Sequence, residues 1–318
     1  VRFLVYIIAL LFITKLYGQY PPPAGQPGST AIHADSSIIN FWASKCYVQR
    51  GYINICNKSL GTVTYGNESD AIGKADNQVI SLGDSGIAVL KFPVNICDKN
   101  GFDFVIFENS FNGQFLELAF VEISNDSVHW FRFPSVSLTP VDQQIETFGT
   151  IQAEHIHNLA GKYIVMYGTP FDISDIPDNP YLDKQNIKYI KIIDVIGNIE
   201  PPYISYDSQG NIINDPFPTP FHTGGFDLDA VGVINYCTDG VNKHNSQNIT
   251  IYPNPATDYL YISSEKNIVE FYIVNFTGVT VIRGIFEERI NIQQLPAGIY
   301  TIFVISEKQV YNKKFVKN

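Results

Sequence analysis

The stretch Val121-Glu122-Ile123-Ser124-Asn125-Asp126-Ser127-Val128-His129-Trp130 decides the fold class. Val121 and Ile123 alternate with Glu122 and Ser124, the period of two that turns one face of a strand to a core and the other to solvent. Asn125-Asp126 interrupts the run, and Val128-His129-Trp130 begins a second one. Asn and Asp favour turns because their short side chains bond the backbone locally. The segment therefore reads as two antiparallel strands joined by a tight turn.

Residues 79–82, 86–92, 103–108, 117–124, 129–133, 189–195 and 226–234 repeat this strand character, punctuated by Gly, Asn and Asp. No stretch sustains a 3.6-residue apolar period, and Asn158-Leu159-Ala160 reads as a single turn. Composition agrees. The chain has 22 Phe and 19 Tyr, 16% charged residues and one Met, a balance that favours strands over helices. Its 318 residues suffice for a large core and one further small domain. The expected fold is all-β: a jelly-roll-like antiparallel β-sandwich followed by a small Ig-like β-sandwich.

The ends of the chain set its organisation. Arg2 precedes an apolar run over residues 3–13, shorter than the roughly 20 residues that span a bilayer. Residues 1–18 are therefore expected to be a secretory signal peptide cut after Gly18, although the bulk of Leu16 lets the site shift. Residues 19–31, with Tyr20-Pro21-Pro22-Pro23-Ala24-Gly25-Gln26-Pro27-Gly28, read as a Pro/Gly-rich lead-in linker. The body spans 32–237, a polar linker 238–248 and a C-terminal domain 249–318. No later segment is apolar enough to cross a membrane. A net charge of -10 argues against a nucleic-acid partner, whose phosphates need clustered Lys and Arg.

The C-terminal domain opens on Ile249-Thr250-Ile251-Tyr252-Pro253-Asn254-Pro255-Ala256-Thr257-Asp258. It contains Leu295-Pro296-Ala297-Gly298-Ile299-Tyr300 and closes on a basic tail with Lys313, Lys314 and Lys317. The combination resembles the type A C-terminal sorting domain of cargo exported by the type IX secretion system of Bacteroidetes. The resemblance implies a secreted or outer-membrane-surface protein with the type IX machinery as partner. Tyr252, Pro253, Asn254, Pro255, Gly298, Tyr300, Lys313 and Lys314 would carry the sorting signal.

The hairpin over 121–130 resembles the V-x-V-S-x-D-G-x-x-W pattern of galactose-binding-like jelly rolls, with Ser127 in place of the usual Gly. Lys188-Tyr189-Ile190-Lys191-Ile192-Ile193-Asp194 resembles the strand carrying that fold's R-Y-V-R-I motif. The body as a whole is similar to a family of uncharacterised bacterial cell-surface proteins. That likeness rests on Leu82-Gly83-Asp84-Ser85-Gly86, Phe107-Glu108-Asn109-Ser110-Phe111, Leu116-Glu117-Leu118-Ala119-Phe120-Val121-Glu122, Ala160-Gly161-Lys162-Tyr163, Gly168-Thr169-Pro170-Phe171-Asp172 and Gly224-Gly225-Phe226-Asp227-Leu228-Asp229-Ala230-Val231. It implies surface location and a sandwich, and no activity.

Four cysteines, Cys46, Cys56, Cys97 and Cys237, permit two disulfides in an exported chain. Arg50-Gly51 between the first two suggests a turn that pairs Cys46 with Cys56, and buried free thiols are the competing expectation. No zinc spacing occurs.

Carboxylates carry the first candidate site. Asp227 and Asp229 stand two apart on a strand, hence on one face, where like charges repel unless a cation intervenes. With Glu108 at the end of an apolar strand they form an expected calcium site. Ion pairs with Lys74, Arg132 or Lys191 are the competing account, and a glycosidase pair of acids is a third. The second candidate is the Pro-stiffened loop 199–225, whose Tyr203, Tyr206, Phe217 and Phe221 would either present rings to a sugar or cover the open end of the sandwich. Trp130 is expected in the core. His155-Ile156-His157 lacks a third metal ligand and reads as a surface pair. No G-x-S-x-G, H-E-x-x-H or phosphate-loop pattern is present. The expected function is non-enzymatic binding of extracellular carbohydrate with a structural calcium ion. A polysaccharide hydrolase, or an adhesive, structural or nutrient-binding surface protein, stands as the alternative.

Overall fold

The strand Ile87–Ile96 shows why the body folds as two facing sheets: Ala88, Leu90 and Phe92 are buried, whereas Lys91 and Pro93 between and beside them are exposed. Half-apolar strands of this kind need a second sheet to cover them. The computed structural model describes residues 19–237, 249–264, 268–275, 279–306 and 310–318. The expected signal peptide (1–18) and second linker (238–248) lie outside the described residues. The chain divides into two compact units, Val1–Cys237 and Thr238–Asn318. Among the described residues there is no α-helix, only four short 3-10 turns, one of them at Ala153–His155 just ahead of the turn expected over 158–160.

In the body, one sheet runs in the order Ile32–His33, Tyr167–Phe171, Phe104–Glu108, Asp227–Val233, Phe41–Trp42, with Ile80–Ser81 also paired to Asp227–Val233. The other runs Tyr236–Cys237, Ile87–Ile96, Ile187–Asp194, Ala119–Ser124, Phe131–Arg132, with Lys45–Gln49 added on Ile87–Ile96. Every pairing between these strands is antiparallel. Between the sheets, Leu90, Val121, Ile123, Ile190 and Ile192 meet Phe104, Ile106, Phe171, Leu228 and Val231. Phe104 stacks on Phe171 at 5.3 Å, and Phe133 sets its edge against both. Each such ring contributes roughly 2–3 kcal/mol through burial. The strand Phe104–Glu108 is buried along its whole length, because Val105 and Phe107 pack on the far side of the sheet with Ile32, Ala34, Ala75 and Ala230.

The deciding hairpin forms as a strand pair, Ala119–Ser124 with Phe131–Arg132, in register Glu122–Arg132 and Ile123–Phe131. Asp126 winds the turn by accepting the amides of Val128 and His129, each at 2.8 Å. Ser127 has φ +63°, the left-handed region where glycine is at ease and a serine is strained. Trp130 is half-buried at the sheet edge, not in the core: the second strand begins only at Phe131, and the Lys191 ammonium sits 3.9 Å from the Trp130 ring centroid.

Two more expectations change. The lead-in residues lie against the body, with Tyr20 stacked on His157 at 4.8 Å and the hydroxyls of Thr30 and Tyr163 bonded at 2.8 Å. The disulfide joins Cys97 to Cys237, not Cys46 to Cys56. Strand pairing explains the partner: Tyr236–Cys237 lies in register with Asn95 and Ile96, which delivers Cys237 beside Cys97. Cys46 points into the core from Lys45–Gln49, where burial pushes its thiol up to about 12, whereas Cys56 is exposed on a turn.

In the C-terminal unit a three-stranded sheet, Ile249–Tyr252, Tyr259–Ser264 and Arg289–Asn291, accompanies a four-stranded one in the order Thr280–Ile285, Ile268–Val274, Gly298–Ser306, Val310–Lys317. Leu260, Ile262, Ile273, Ile290, Ile302 and Phe315 form its core. The Tyr252-Pro253-Asn254-Pro255 turn is fastened to the last strand: Asn254 Oδ1 accepts the Val316 amide at 2.9 Å, and Ala256 donates to the Val316 carbonyl. Tyr252 stacks on Tyr261, and Tyr300 stacks on Phe315 while its hydroxyl donates to the Pro296 carbonyl. Gly298 pairs with Lys317, and Lys313 and Lys314 lie opposite Ile302 and Thr301.

Candidate functional site: an aromatic cleft over buried acids

Alternation places Glu117 and Glu122, five residues apart, on opposite sides of one run. Leu116, Leu118 and Phe120 pack into a satellite cluster with Ile151, Ile156 and Ile213, while Ala119, Val121 and Ile123 face the main core. Glu117 shares the second side, at the end of the sandwich. Gly161, with φ +84°, lets this run pass: a Cβ there would collide with the Glu117 carbonyl oxygen.

Above Glu117 lies a cleft of about 300 Å³ lined by Asn77, Asn109, Phe111, Phe115, Glu117, Thr147, Phe148, Thr219, Phe221, Thr223, Gly224 and Asp227. Its aromatic residues form a ladder. Phe111 stacks on Phe115 at 4.8 Å, Phe115 meets Phe148 at 5.9 Å, and Phe148 stacks on Phe221 at 5.9 Å. Phe111 and Phe148 are two-thirds exposed (66% and 67%) and Phe221 is 44% exposed, so ring surface stays open to a ligand. Connected apolar faces left uncovered mark binding surfaces more often than isolated ones do.

The carboxylates at the cleft's inner end are short of positive charge. Glu117 is 7% exposed. Burial first, and then Asp227, Glu108, Asp215 and Asp194, hold its carboxyl well above the usual range. Asp227 accepts a hydrogen bond from the Ser81 hydroxyl, and burial still pushes it up to about 7. Arg50, the cation whose field reaches Asp227, spends its guanidinium on the carbonyls of Tyr65, Gly66 and Ser81. Behind the cleft, Glu108 accepts the Ser110 amide, and Asp194 those of Ser85 and Phe226. Asp215 accepts the Leu118 amide on one oxygen and leaves the other without a partner. Burial raises all three well above the ordinary carboxylate range.

Glu108, Asp227 and Asp229 share this environment without forming one coordination shell. A register shift between Leu228 and Ala230 sends Asp229 to the amides of Asp76 and Asn77, one per oxygen, each at 3.1 Å. Burial pushes Asp229 up to about 6 despite those bonds. Among the described residues the acids whose ligand atoms gather within 4.8 Å are Asp98, Asp103 and Asp172. There Asp103 is tied to the amides of Lys99 and Ile173 and to the Asn235 side chain, fastening loops. The expected ion-pair partners are engaged elsewhere: Lys74 with Asp35, and Arg132 and Lys191 with Glu122.

Of the four loop aromatics, Phe221 reaches the cleft. Phe217 is buried, with its amide on the Ile145 carbonyl; Tyr203 carries the Lys58 ammonium over its ring; Tyr206 is exposed outside the cleft lining. Sequence reasoning missed Glu117, Phe111, Phe115 and Phe148 as site residues. The first two lie in the quoted motifs Leu116-Glu117-Leu118 and Phe107-Glu108-Asn109-Ser110-Phe111. Phe115 and Phe148 carry no local signal, since loops from three regions meet only after folding.

One solved structure described as a biofilm-associated protein BSP domain is similar at 11% identity and TM-score 0.19, over 89% of this chain and 52% of that one. The chain thus spans about half the length of that protein. A second, the CBM51-2 and INT domains of Clostridium perfringens ZmpB, is similar at 8% identity and TM-score 0.19, over 88% and 82%. Such low similarity carries no argument about the ligand. No curated protein matches the chain. Among the described residues no helix is long and apolar enough to cross a membrane. Residues 250–318 match the family described as the secretion system C-terminal sorting domain, so the chain carries a type IX sorting tail and is exported to the cell surface or the medium.

Proposed function

We propose that the body is a non-enzymatic binding module for extracellular carbohydrate, and that the aromatic cleft is its ligand site. The observation that supports this most is the open ring surface of Phe111, Phe148 and Phe221 beside the side chains of Asn77, Thr147 and Thr223. Sugar rings present C–H faces that pack on aromatic rings and hydroxyls that bond amides and threonines. Hydrolysis fits less well. A glycosidase needs one carboxyl protonated and the other ionised, whereas burial raises Glu117 and Asp227 together.

A glycan array probed with the full exported chain, followed by calorimetric titration of any hit, tests the reading. The double substitution Phe148→Ala with Phe221→Ala should weaken binding about tenfold or more. A blank array, or unchanged affinity in the double variant, would sink it. Calcium is the second reading, favoured by the excess of buried carboxylates. It predicts that CaCl2 raises the melting temperature relative to EDTA, and that Asp227→Asn removes the rise.

A further inference from the structure

Resting on the carbohydrate reading of the same cleft, we propose that the ligand is an amino sugar or its oligomer bearing a free primary amine, with the ammonium held between Glu117 and Asp227 against the phenylalanine ladder. Three independent features lead there. The first is the orphaned carboxylate: Glu117 is more than nine-tenths buried, lines the cleft and has no hydrogen-bond or ion-pair partner among the described residues. A buried acid that nothing in the protein satisfies is an acid awaiting a donor. The second is the missing cation. Two acids line the cleft and no Lys, Arg or His does.

The third feature separates an organic cation from a metal ion. Calcium takes roughly 6–8 oxygen ligands. Here Asp229 and Glu108 are committed to backbone amides, which leaves Glu117 and Asp227 as the acids in the cleft. A cavity of about 300 Å³ far exceeds the needs of one ion, and its walls are rings. Aromatic faces attract ammonium groups through the ring quadrupole, most strongly where water is excluded. An ammonium also brings three donors for the oxygens waiting at the cleft floor. Acetylation of the amine removes both the charge and two of those donors.

The test titrates the full chain with a glucosamine oligomer and, in parallel, with its N-acetylated counterpart of the same length and linkage. The amine form should bind at least about tenfold more tightly, and Glu117→Gln should abolish that preference. Because the substitution removes a buried unpaired acid, it should not compromise folding, and a melting curve of the variant verifies this. If both oligomers bind equally and Glu117→Gln changes nothing, the amine is overturned and the carbohydrate reading survives. If neither binds, the amino sugar is overturned, and a blank glycan array is what would take the carbohydrate reading down with it.

Discussion

Glu117 and Glu122 stand five residues apart in one extended run and meet opposite fates. Glu122 lies on the outer face of its sheet, where Arg132 Nη2 reaches one oxygen at 2.9 Å and Lys191 Nζ the other at 2.8 Å. Lys191 in turn caps the Trp130 ring. Glu117 lies on the inner side, at the end of the sandwich, with acids around it and no cation beside it. The pair separates two uses of a carboxylate. One is matched by neighbours and holds the sheet together; the other costs stability unless something from outside supplies the charge. Sites that bind are often built from groups the fold leaves unsatisfied.

The comparison can be broken most readily with pH. Asp227 and Asp229, held in the fold at about 7 and about 6, and Glu117, Glu108, Asp194 and Asp215, raised well above the ordinary carboxylate range by burial, all ionise more easily once unfolded. Between pH 5 and 8 the unfolded chain therefore binds fewer protons than the native one, and stability falls as pH rises. The loss should reach about 3 kcal/mol or more without ligand, read from urea unfolding at stepped pH. A flat or rising profile across that window would mean these acids are compensated.

Glu122→Ala should come next, destabilising the body by about 2–3 kcal/mol because Lys191 and Arg132 lose their shared partner; a cost below about 0.5 kcal/mol would demote the network to an ordinary surface pair. Glu117→Gln should shift stability the opposite way, a gain of about 1–3 kcal/mol at pH 7.5 and a shallower pH slope. Equal signs for the two variants would erase the distinction drawn here. The smallest effect is expected at the turn that follows Glu122. Ser127→Gly relieves a left-handed serine and should add about 0.5–1 kcal/mol, seen as a slight rise in melting temperature. Destabilisation would show that the Ser127 side chain earns its place.

Much of the fold was legible. Alternation around Asn125-Asp126 predicted the hairpin, and the sandwich followed from runs of the same period. Trp130 falls outside the core that its motif suggests, because one residue decides whether a side chain sits inside a strand or at its edge. Cys97 and Cys237 are separated by 140 residues, and no local rule brings them together. Spacing alone pairs Asp227 with Asp229, whereas the register shift beside Leu228 gives the two carboxylates different partners.

The sorting tail shows the other extreme. Tyr252-Pro253-Asn254-Pro255 and Leu295-Pro296-Ala297-Gly298-Ile299-Tyr300 are contiguous motifs, so export is legible in the sequence. By itself the sequence determined strand character, the two-unit organisation and the route out of the cell, because each is written in local periods and short motifs. Tertiary structure alone decided the chemistry of the cleft. Phe111, Phe148 and Phe221 become one ladder, and Glu117 and Asp227 one pair in the cleft, only where loops distant in the chain close over the same end of the sandwich. Burial at that end, which no single residue encodes, turns ordinary carboxylates into unsatisfied ones.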